Sequence, residues 1–558
     1  MTQHMAHSQR PALAGARTGG QVLIDTLIAE GADMAFSVPG ESFLAALDAM
    51  HDVQDKFRLI VCRHEASATN MAEATGKLTG RPGIAFVTRG PGSSHAAIGI
   101  HTAQQDSTPL IVFVGQAGRE HLLREAFQEV DYGQMYGKFA KWVVQIDDAE
   151  RIPELVSRAF HVAVNGRPGP VVVAIPEDVL KDPCAAAVPA PFKRTIAAPS
   201  AAAMSELSAM IAAAERPLLV LGGGGWDAQS VRLMQQFAEK HHLAASVGFR
   251  CQDLFDNSHP NYAGDLGLGI DAALVEMVKK ADLLIVVGER LGEASTKGYT
   301  LINVPRPAQK LVHVHPSPEQ LGMVYQADLL IAANMRDFAE AAATIPAGPR
   351  TRAEWIANGR ANYDKKITPK ATGLALDVGQ VVKYLRETLP DDSIITNGAG
   401  TYTGYVHRYY TYKRFRTQLA PTSGAMGYGF PASIAAKLVH PDRTVVCFAG
   451  DGCFLMASQE LATAIRYDLP VIVVLVNNSS YGSIRMHQER EYPGRTFATG
   501  LNNPDFVALA KAYGAYGELV ETTEAFAGAF ERARASGKPA VLELRIDIEL
   551  MVKANPRK

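Results

Sequence analysis

The sequence predicts an α/β protein built from three doubly wound parallel-sheet domains. The chain has 558 residues, which is too many for a single hydrophobic core. Two segments rich in Pro, Ala, Gly or charge, 183–204 and 344–373, divide it into parts of ordinary domain size. In each part, short β-branched runs alternate with helical patterns, which is typical of βα units. We therefore expect a disordered tail and three domains, which cover 1–16, 17–185, 200–345 and 370–558.

The predicted strands are apolar on both faces, as in parallel sheets that helices cover on each side. They read MAFSVP, FRLIVC, GIAFVT, LIVFVG and PVVVAIP in the first domain, PLLVLGG, ADLLIVVG and KLVHVHP in the middle domain, and SIITNG, TVVCFAG, VIVVLVNN and AVLELRI in the last. Ligands of such sheets bind beyond the carboxyl ends of the strands. Functional residues are therefore expected where these runs end.

The composition argues against nucleic acid and a membrane as partners, while a small-molecule substrate is implied only by the resemblance described below. A net charge of −2 provides no basic surface, and no apolar run approaches membrane-spanning length. The five cysteines are scattered without metal-ligand spacing, which favours a reduced, cytoplasmic location. Residues 1–16 are polar and lack the apolar core of a signal peptide, so we predict a loose tail there.

An aspartate between two glycines follows the predicted strand TVVCFAG. Gly450, Asp451 and Gly452 form this turn, and the next strand ends in two asparagines, the second being Asn478, 27 residues after Asp451 (478 − 451). One βα unit lies between, so both groups emerge at the same sheet edge. With the backbone carbonyl of Ser480, they would supply half of an oxygen shell for Mg²⁺, while the glycines admit a diphosphate. For either motif alone, a helix cap or a polar strand end is the better explanation, and only the pair is a specific signal.

GDG followed by NN at this spacing resembles the cofactor-binding motif of thiamine-diphosphate enzymes. The chain is similar to the acetolactate synthase-like branch in VTRGPGSSH, AFQE, GRPGPVVVAIPEDV, NGAGTYTG and TSGAMGYGFPA as well. This resemblance runs from about Gly19 to Ile548 and implies pyrimidine-binding, middle and diphosphate-binding domains, with thiamine diphosphate and Mg²⁺ as cofactors. Family members pair the first domain of one subunit with the last domain of another. The resemblance therefore implies a homodimer or homotetramer.

In the first domain, the resemblance implies three catalytic candidates. Glu65 matches the glutamate that hydrogen-bonds N1′ of the aminopyrimidine, although an acid there could also just stabilise a helix N-terminus. Glu41, in FSVPGESFL, matches a position that is catalytic in pyruvate and benzoylformate decarboxylases, so it either relays protons or caps the following helix. Gln128, in AFQE, is the third candidate.

In the last domain, the resemblance implies most of the cofactor contacts. Met426 would hold the cofactor bent and the Gly424 carbonyl would accept a hydrogen bond from the pyrimidine, although a Met in such a loop is otherwise core packing. Thr401 and Tyr402 are candidate donors to the diphosphate. His487 stands where acetolactate synthases carry a pocket tryptophan, which makes it a catalytic candidate. The remaining predicted residues are Gly450, Gly452, Cys453 and Tyr481 for the cofactor, and Asp451, Asn478 and Ser480 for the metal.

Departures from acetolactate synthases leave the substrate and the flavin open. Ala294 replaces an arginine that grips the acceptor carboxylate, so we expect weak acetolactate formation from pyruvate. The same segment lacks the polar residues of the flavin-binding run, and the glycine run LGGGGWDAQ alone is a weak nucleotide signal, so FAD is doubtful. We expect a thiamine-diphosphate-dependent carboligase or lyase acting on a 2-oxo acid or 2-hydroxy ketone. The open alternatives are a 2-oxo acid decarboxylase without ligation and a flavin-dependent oxidoreductase of the pyruvate oxidase kind.

Overall fold

Three six-stranded sheets, each parallel throughout, organise the chain and confirm the predicted fold class. The computed structural model describes residues 17–348 and 350–548, so the predicted tail over 1–16 lies outside the described residues. Among the residues described, no helix has the length and apolar character needed to cross a membrane.

The first sheet and its helices occupy the N-terminal third of the chain. Its strands and helices are β1 (Arg17–Thr18), α1 (Gly19–Ala29), β2 (Met34–Ser37), α2 (Leu44–His51), β3 (Arg58–Val61), α3 (Glu65–Thr79), β4 (Gly83–Val87), α4 (Gly90–Asp106), β5 (Leu110–Gln116), α5 (Tyr132–Tyr136), β6 (Trp142–Gln145), α6 (Ile152–Val164), β7 (Pro170–Pro176) and β8 (Pro183–Cys184). The strand order is β3-β2-β4-β5-β7-β6, and β1 pairs with β8 as a separate antiparallel ribbon.

The middle sheet has the order β11-β10-β9-β12-β13-β14. Its elements are α7 (Ala201–Ala213), β9 (Pro217–Leu221), α8 (Ala228–Lys240), β10 (Ala244–Val247), β11 (Tyr262–Asp265), α9 (Ala272–Lys280), β12 (Leu283–Val287), β13 (Lys310–His315), β14 (Leu329–Ala332), α10 (Met335–Ala343) and α11 (Ala353–Lys366). Helix α11 lies inside the predicted second linker and packs on β11, because Tyr363 is buried in the middle domain's core.

The last sheet has the order β16-β15-β17-β18-β20-β19. Its elements are α12 (Val378–Thr388), β15 (Ile394–Asn397), α13 (Thr403–Tyr409), β16 (Gln418–Leu419), α14 (Gly429–Val439), β17 (Val445–Gly450), α15 (Asp451–Leu455), α16 (Leu461–Arg466), β18 (Ile472–Asn477), α17 (Gly482–Glu491), α18 (Phe506–Ala512), β19 (Tyr516–Val520), α19 (Thr523–Ala535) and β20 (Ala540–Arg545). The strands β17 and β18 are hydrogen-bonded neighbours, so their carboxyl ends lie side by side.

Apolar cores cover both faces of each sheet, as the two-sided apolar runs predict. One core is shared by the first and last domains, where α14 packs against α3 and joins the two sheets in one apolar layer. Burial of this layer holds the two domains in a fixed orientation within the chain.

All the predicted strands are present, and most of the strands that were not predicted are sheet edges. Strands β6, β11, β14, β16 and β19 are edge strands, and β14 and β19 expose part of their side chains. Strands β11, β16 and β19 lack the continuous apolar runs of central strands, and β14 has such a run over only four residues. Strand β10 is central, but its two alanines favour a helix in isolation.

Candidate active site

The Asp451 carboxylate is buried at the carboxyl end of β17. The residue is 3 % exposed. Oδ1 accepts a hydrogen bond of 2.9 Å from the Gly452 amide, and Oδ2 accepts one of 2.8 Å from the Asn503 side chain. Burial raises the pKa of Asp451 above its ordinary value, although hydrogen bonds from these groups and from the Ser479 and Ser480 amides oppose the rise. Its donors are neutral, so a cation bound here would stabilise the carboxylate.

The turn after β18 brings further oxygens next to Asp451. The Asn478 side-chain oxygen accepts a 3.0 Å hydrogen bond from the Ser480 amide, and the Ser480 carbonyl accepts one of 2.8 Å from Gly482. All of these groups are buried at the edge where β17 and β18 end. Carboxylate, amide and carbonyl oxygens are ligands that suit Mg²⁺.

Gly482 brings a third segment into this site. A Cβ at Gly482 would lie 2.9 Å from Nδ2 of Asn478 and 3.1 Å from Oγ1 of Thr401. Thr401 therefore lies beside the proposed metal ligands, although it follows β15 and is distant in sequence. The Tyr481 ring covers Gly452, since a Cβ at Gly452 would lie 2.8 Å from this ring.

Cys453 connects the turn at Gly450 and Gly452 with the loops that carry Gly427 and Tyr402. Its Sγ accepts a 3.2 Å hydrogen bond from the Gly427 amide and one of 3.3 Å from the Tyr402 hydroxyl. The Tyr402 ring packs over Gly450, where a Cβ would lie 3.0 Å from the ring. The Tyr402 hydroxyl therefore already has a hydrogen-bond partner within the protein.

The loop that carries Gly424 and Met426 keeps open space. Gly424 has a φ of +68°, and a Cβ there would meet no atom within 4 Å. Met426 is half-buried beside the apolar core on one face of the last sheet. A left-handed glycine facing open space lets a flat ring approach its backbone.

Glu65 begins α3 in the first domain and is hydrogen-bonded to His95. Its Oε2 lies 2.9 Å from Nδ1 of His95, and its side chain is 12 % exposed whereas that of His95 is 52 % exposed. The His64 and His95 rings stack with centroids 4.4 Å apart, and Nδ1 of His64 accepts from the Ala66 amide as the helix cap. Desolvation lowers the pKa of His64, which keeps this ring neutral at pH 7.

Glu41 lies at the same edge of the first sheet as Glu65. The neighbouring Ser42 hydroxyl is 3.0 Å from that of Thr88, and a Cβ at Gly92 would lie 2.9 Å from Thr88 and 3.4 Å from Oε1 of Glu65. Glu41 itself is exposed in a single 3₁₀ turn. The contacts through Thr88 therefore place Glu41 and Glu65 on the same surface of the first domain.

The structure gives Gln128 and His487 local partners. Gln128 has a φ of +63°, and its carbonyl accepts a 2.9 Å hydrogen bond from Gly90 at the start of α4. His487 is exposed on α17, with Nδ1 2.6 Å from Nη2 of Arg490. Neither contact joins these residues to Glu65 or to Asp451.

Two residues of the site were absent from the sequence prediction. His95 contacts Glu65 only because α3 and α4 pack together, and Asn503 bridges Asp451 to the Asn477 side chain, 2.9 Å away. The polar run GLNNPD contains Asn503 but resembles an ordinary turn. A histidine in the first turns of a helix that follows a buried strand was the available signal for His95.

The glycine run of the middle domain does not fit a flavin nucleotide. A Cβ at Gly222 or Gly248 would lie 2.2 or 1.9 Å from Oε2 of Glu289, so this buried side chain fills the space that the glycines leave. The first turn of α8, where a phosphate would bind, is capped by the carboxylate of Asp227, which accepts from the Ser230 amide at 2.8 Å. Two acidic groups thus lie beside the glycine run and at the start of α8, where they would repel a diphosphate.

Three family models match successive parts of the chain. They describe the N-terminal TPP binding domain, the central domain and the C-terminal TPP binding domain of thiamine pyrophosphate enzymes, and they match residues 17–135, 204–342 and 398–544.

Curated relatives are similar over almost the whole chain. The acetolactate synthase large subunit of Parasynechococcus marenigrum (strain WH8102) is 32 % identical over 95 % of this chain and 87 % of its own length. The acetolactate synthase isozyme 2 large subunit of Escherichia coli (strain K12) is 29 % identical over 95 % of both chains. The mitochondrial acetolactate synthase catalytic subunit of Saccharomyces cerevisiae is 28 % identical over 96 % of this chain and 81 % of its own.

Proposed function

Because the chain belongs to the thiamine pyrophosphate enzymes, beside the large subunits of acetolactate synthase, we propose that it makes or breaks carbon–carbon bonds of 2-oxo acids. It is a thiamine-diphosphate-dependent enzyme of the acetolactate synthase type. One observation supports the proposal above all. Four separate segments, which carry Thr401, Gly427, Asp451 and Asn478, converge at one edge of the last sheet around a buried carboxylate that has only neutral donors.

Mg²⁺ would bind to Asp451, Asn478 and the Ser480 carbonyl. The donor set is entirely oxygen, and the remaining positions of an octahedron would be filled by waters and diphosphate oxygens. Gly450, Gly452, Cys453 and Tyr481 would form the wall of this site. We propose thiamine diphosphate and Mg²⁺ as the cofactor pair.

The residues of this chain would bind the cofactor and control its protonation. When bound, thiamine diphosphate supplies a carbon nucleophile and an electron sink. Glu65 would hold the proton shared with N1′ of the aminopyrimidine, while His95 fixes the orientation of the Glu65 carboxylate through the 2.9 Å hydrogen bond. The Gly424 carbonyl would accept from the aminopyrimidine, and Met426 would set its angle. Glu41, Gln128 and His487 would act on the substrate.

A homo-oligomer would bring the two halves of the site together. Among the described residues, the Glu65 side chain contacts only residues of the first domain, and the Asp451 side chain contacts only residues of the last domain. In this part of the chain, no side-chain contact of either acid therefore joins the Glu65 half of the site to the Asp451 half. A second copy of the chain could set its last domain against the Glu65 surface. The five cysteines, all in the described part, form no disulfide, and a cytoplasmic location agrees with this.

We propose that the enzyme works without flavin and makes acetolactate only slowly. The Glu289 side chain beside the glycine run and the Asp227 cap of α8 support this proposal and disfavour the pyruvate oxidase-like alternative. Ala294 offers no charge to an acceptor carboxylate. The purified protein should be colourless above 400 nm, and pyruvate alone should give little acetolactate; a flavin spectrum would restore the oxidoreductase alternative.

Exchange of the C2 proton of thiamine diphosphate for deuterium tests the proposed function directly. The protein is incubated with thiamine diphosphate and Mg²⁺ in D₂O, quenched with acid, and the C2 proton is followed by NMR. Glu65→Gln should slow exchange by at least about 100-fold, since a positioned acid–base group contributes this much or more. Glu354→Gln is the matched control, because Glu354 is also a first-turn acid, but of α11.

Circular dichroism spectra of both variants should match the wild type. If Glu65→Gln exchanges as fast as the wild type, the assignment of Glu65 is wrong. If the wild-type protein does not accelerate exchange at all, the proposed function is wrong.

A further inference from the structure

A cavity of about 560 Å³ lies between the middle and last domains, beside the candidate cofactor loops. Thr401 and Met486 line it from the last domain, and Phe249 and Arg250 line it from the middle domain. The cavity therefore reaches the segment that follows β15, where the diphosphate is proposed to bind.

Arg250 is a buried cation without a carboxylate partner. The residue is 6 % exposed, and burial lowers the pKa of its guanidinium. Nη1 donates a hydrogen bond to the Pro421 carbonyl, whereas Nε has no hydrogen-bond partner among the described residues. The guanidinium carbon lies 5.0 Å from the Phe249 ring centroid. A buried charge of this kind is unfavourable until an anion neutralises it.

The acidic residues that line the cavity already have partners. Asp265 forms a 2.9 Å ion pair with Lys366, and Asp271 caps α9 by accepting from the Ala273 amide at 2.9 Å. Neither acid is available to Arg250. The cavity walls thus hold at least one positive charge that they do not neutralise.

A second guanidinium, that of Arg408, faces the same cavity from α13. It stacks on the Tyr409 ring at 5.3 Å and forms no ion pair in the described part of the chain. The His407 ring adds no charge, because burial near Arg250 holds its pKa well below the ordinary value. The buried Arg250 and the exposed Arg408, neither with a carboxylate partner among the described residues, favour an anion in this cavity.

The position of Arg250 connects it with the substrate as well as with the cofactor. The Phe249 amide donates a 3.2 Å hydrogen bond to the Ser295 hydroxyl, and Ser295 directly follows Ala294. Arg250 lines the same cavity as Thr401, whose neighbour Tyr402 packs its ring over Gly450. The guanidinium is therefore near the cofactor loops and next to the segment in which Ala294 provides no charge.

We propose that the cavity binds the carboxylate of an anionic substrate, a 2-oxo acid, through Arg250 with help from Arg408. This inference rests on the proposed function and names the group that recognises its substrate. The Arg250 guanidinium, of which only Nη1 donates to a described group, would donate to the carboxylate, and this charge-assisted contact would exclude neutral analogues. The substrate would enter from the middle-domain side of the cofactor.

Binding of oxamate and oxamide to the protein loaded with thiamine diphosphate and Mg²⁺ tests this proposal. Oxamate is an unreactive analogue of a short 2-oxo acid, and oxamide is its neutral counterpart. Because the cofactor is already bound, its diphosphate cannot compete for a free Arg250. Titrations followed by ligand NMR should give oxamate at least tenfold tighter binding than oxamide.

Substitutions test which residues cause the preference for oxamate over oxamide. Arg250→Met should abolish it, Arg250→Lys should weaken oxamate binding at least threefold, and Arg408→Gln should weaken it by a similar factor. Arg534→Gln, an exposed arginine of α19, is the matched control and should bind as the wild type does.

Each outcome decides the proposal. No preference for oxamate in the wild type overturns it, and so does a preference that survives in folded Arg250→Met. If Arg250→Met does not fold, an unchanged oxamate affinity in both Arg250→Lys and Arg408→Gln overturns it. The C2 exchange of the wild type is measured in the same samples, so that normal exchange without oxamate preference refutes only this inference.

Discussion

Replacement of Gly248 by alanine should destabilise the middle domain only while Glu289 is present. A Cβ at Gly248 would lie 1.9 Å from Oε2, 2.8 Å from Cδ and 3.4 Å from Cγ of Glu289, and these are its three nearest atoms. The first distance is well inside the usual contact distance of about 3.5 Å. Both residues are buried, so neither can move into solvent. Gly248→Ala should therefore cost about 1–3 kcal/mol, as overpacking of a core does.

The same substitution should be almost harmless in the Glu289→Ala background. Gly248 has no positive φ, so alanine fits its backbone, and the clash disappears with the Glu289 side chain. The four proteins form a double-mutant cycle whose coupling energy should be about 1–3 kcal/mol. The stability effect of Glu289→Ala itself, of either sign, cancels in this cycle.

Urea denaturation followed by tryptophan fluorescence measures the effect. Of the three tryptophans, Trp226 and Trp355 pack in the middle domain, so the signal reports mainly on this domain. Gly292→Ala is the matched control, because a Cβ there would meet no atom within 4 Å. Equal costs of Gly248→Ala in both backgrounds would refute the view that these glycines serve Glu289. Gain of flavin binding in Glu289→Ala would show in addition that Glu289 closes a nucleotide site.

Three further predictions concern the metal, the assembly and pH. Asp451→Ala should weaken Mg²⁺-dependent binding of thiamine diphosphate by at least about tenfold in calorimetry, and unchanged affinity would remove Asp451 from the metal site. Glu65→Gln and Asp451→Ala subunits, each inactive alone, should regain about a quarter of wild-type activity when they are mixed and reassembled. Random pairing makes half of the dimers mixed, and each mixed dimer has one intact site of two. No recovery of activity would contradict a site shared between subunits. Burial beside Asp106 raises the pKa of Glu73 from 4.5 to about 7, and Glu73 accepts a 2.5 Å hydrogen bond from the Tyr428 hydroxyl. The protonated Glu73 contributes to stability fully below pH 4.5, and this contribution is lost as the pH rises through 7. The melting temperature of Glu73→Gln should therefore rise relative to that of the wild type between about pH 5 and pH 8. A difference in melting temperature that does not depend on pH would contradict this.

The fold followed from local patterns to a large extent. Two-sided apolar runs predicted the central parallel strands because burial of both faces leaves no polar alternation. The edge strands β16 and β19 were not predicted, since one neighbour is missing and their sequences are correspondingly mixed. Helix α11 was mistaken for part of a linker, because its charged surface outweighs the few buried residues that dock it on β11.

Part of the candidate site followed from topology. Asp451 and Asn478 could be brought together from sequence, because one βα unit between parallel strands fixes which sheet edge both strand ends share. The Glu65–His95 contact depends on how α3 and α4 pack, and the 30-residue separation carries no such information. Arg250 reaches the Pro421 carbonyl from another domain, 171 residues away, which no local pattern encodes.

The sequence by itself determined the family, the three α/β domains and the cofactor motif, because hydrophobic periodicity and the residues at strand ends are local properties of the chain. Only the tertiary structure decided how the glycines are used. Gly222 belongs to a run that resembles a nucleotide loop in the sequence, yet the space beside it is filled by Glu289 of the same domain. The same holds for Arg250, whose lack of a carboxylate partner becomes visible only when the neighbours of its buried guanidinium are known. Steric exclusion and charge compensation act between residues that are distant in sequence. For this reason, the neighbours of Gly222 and of Arg250 are known only from the tertiary structure.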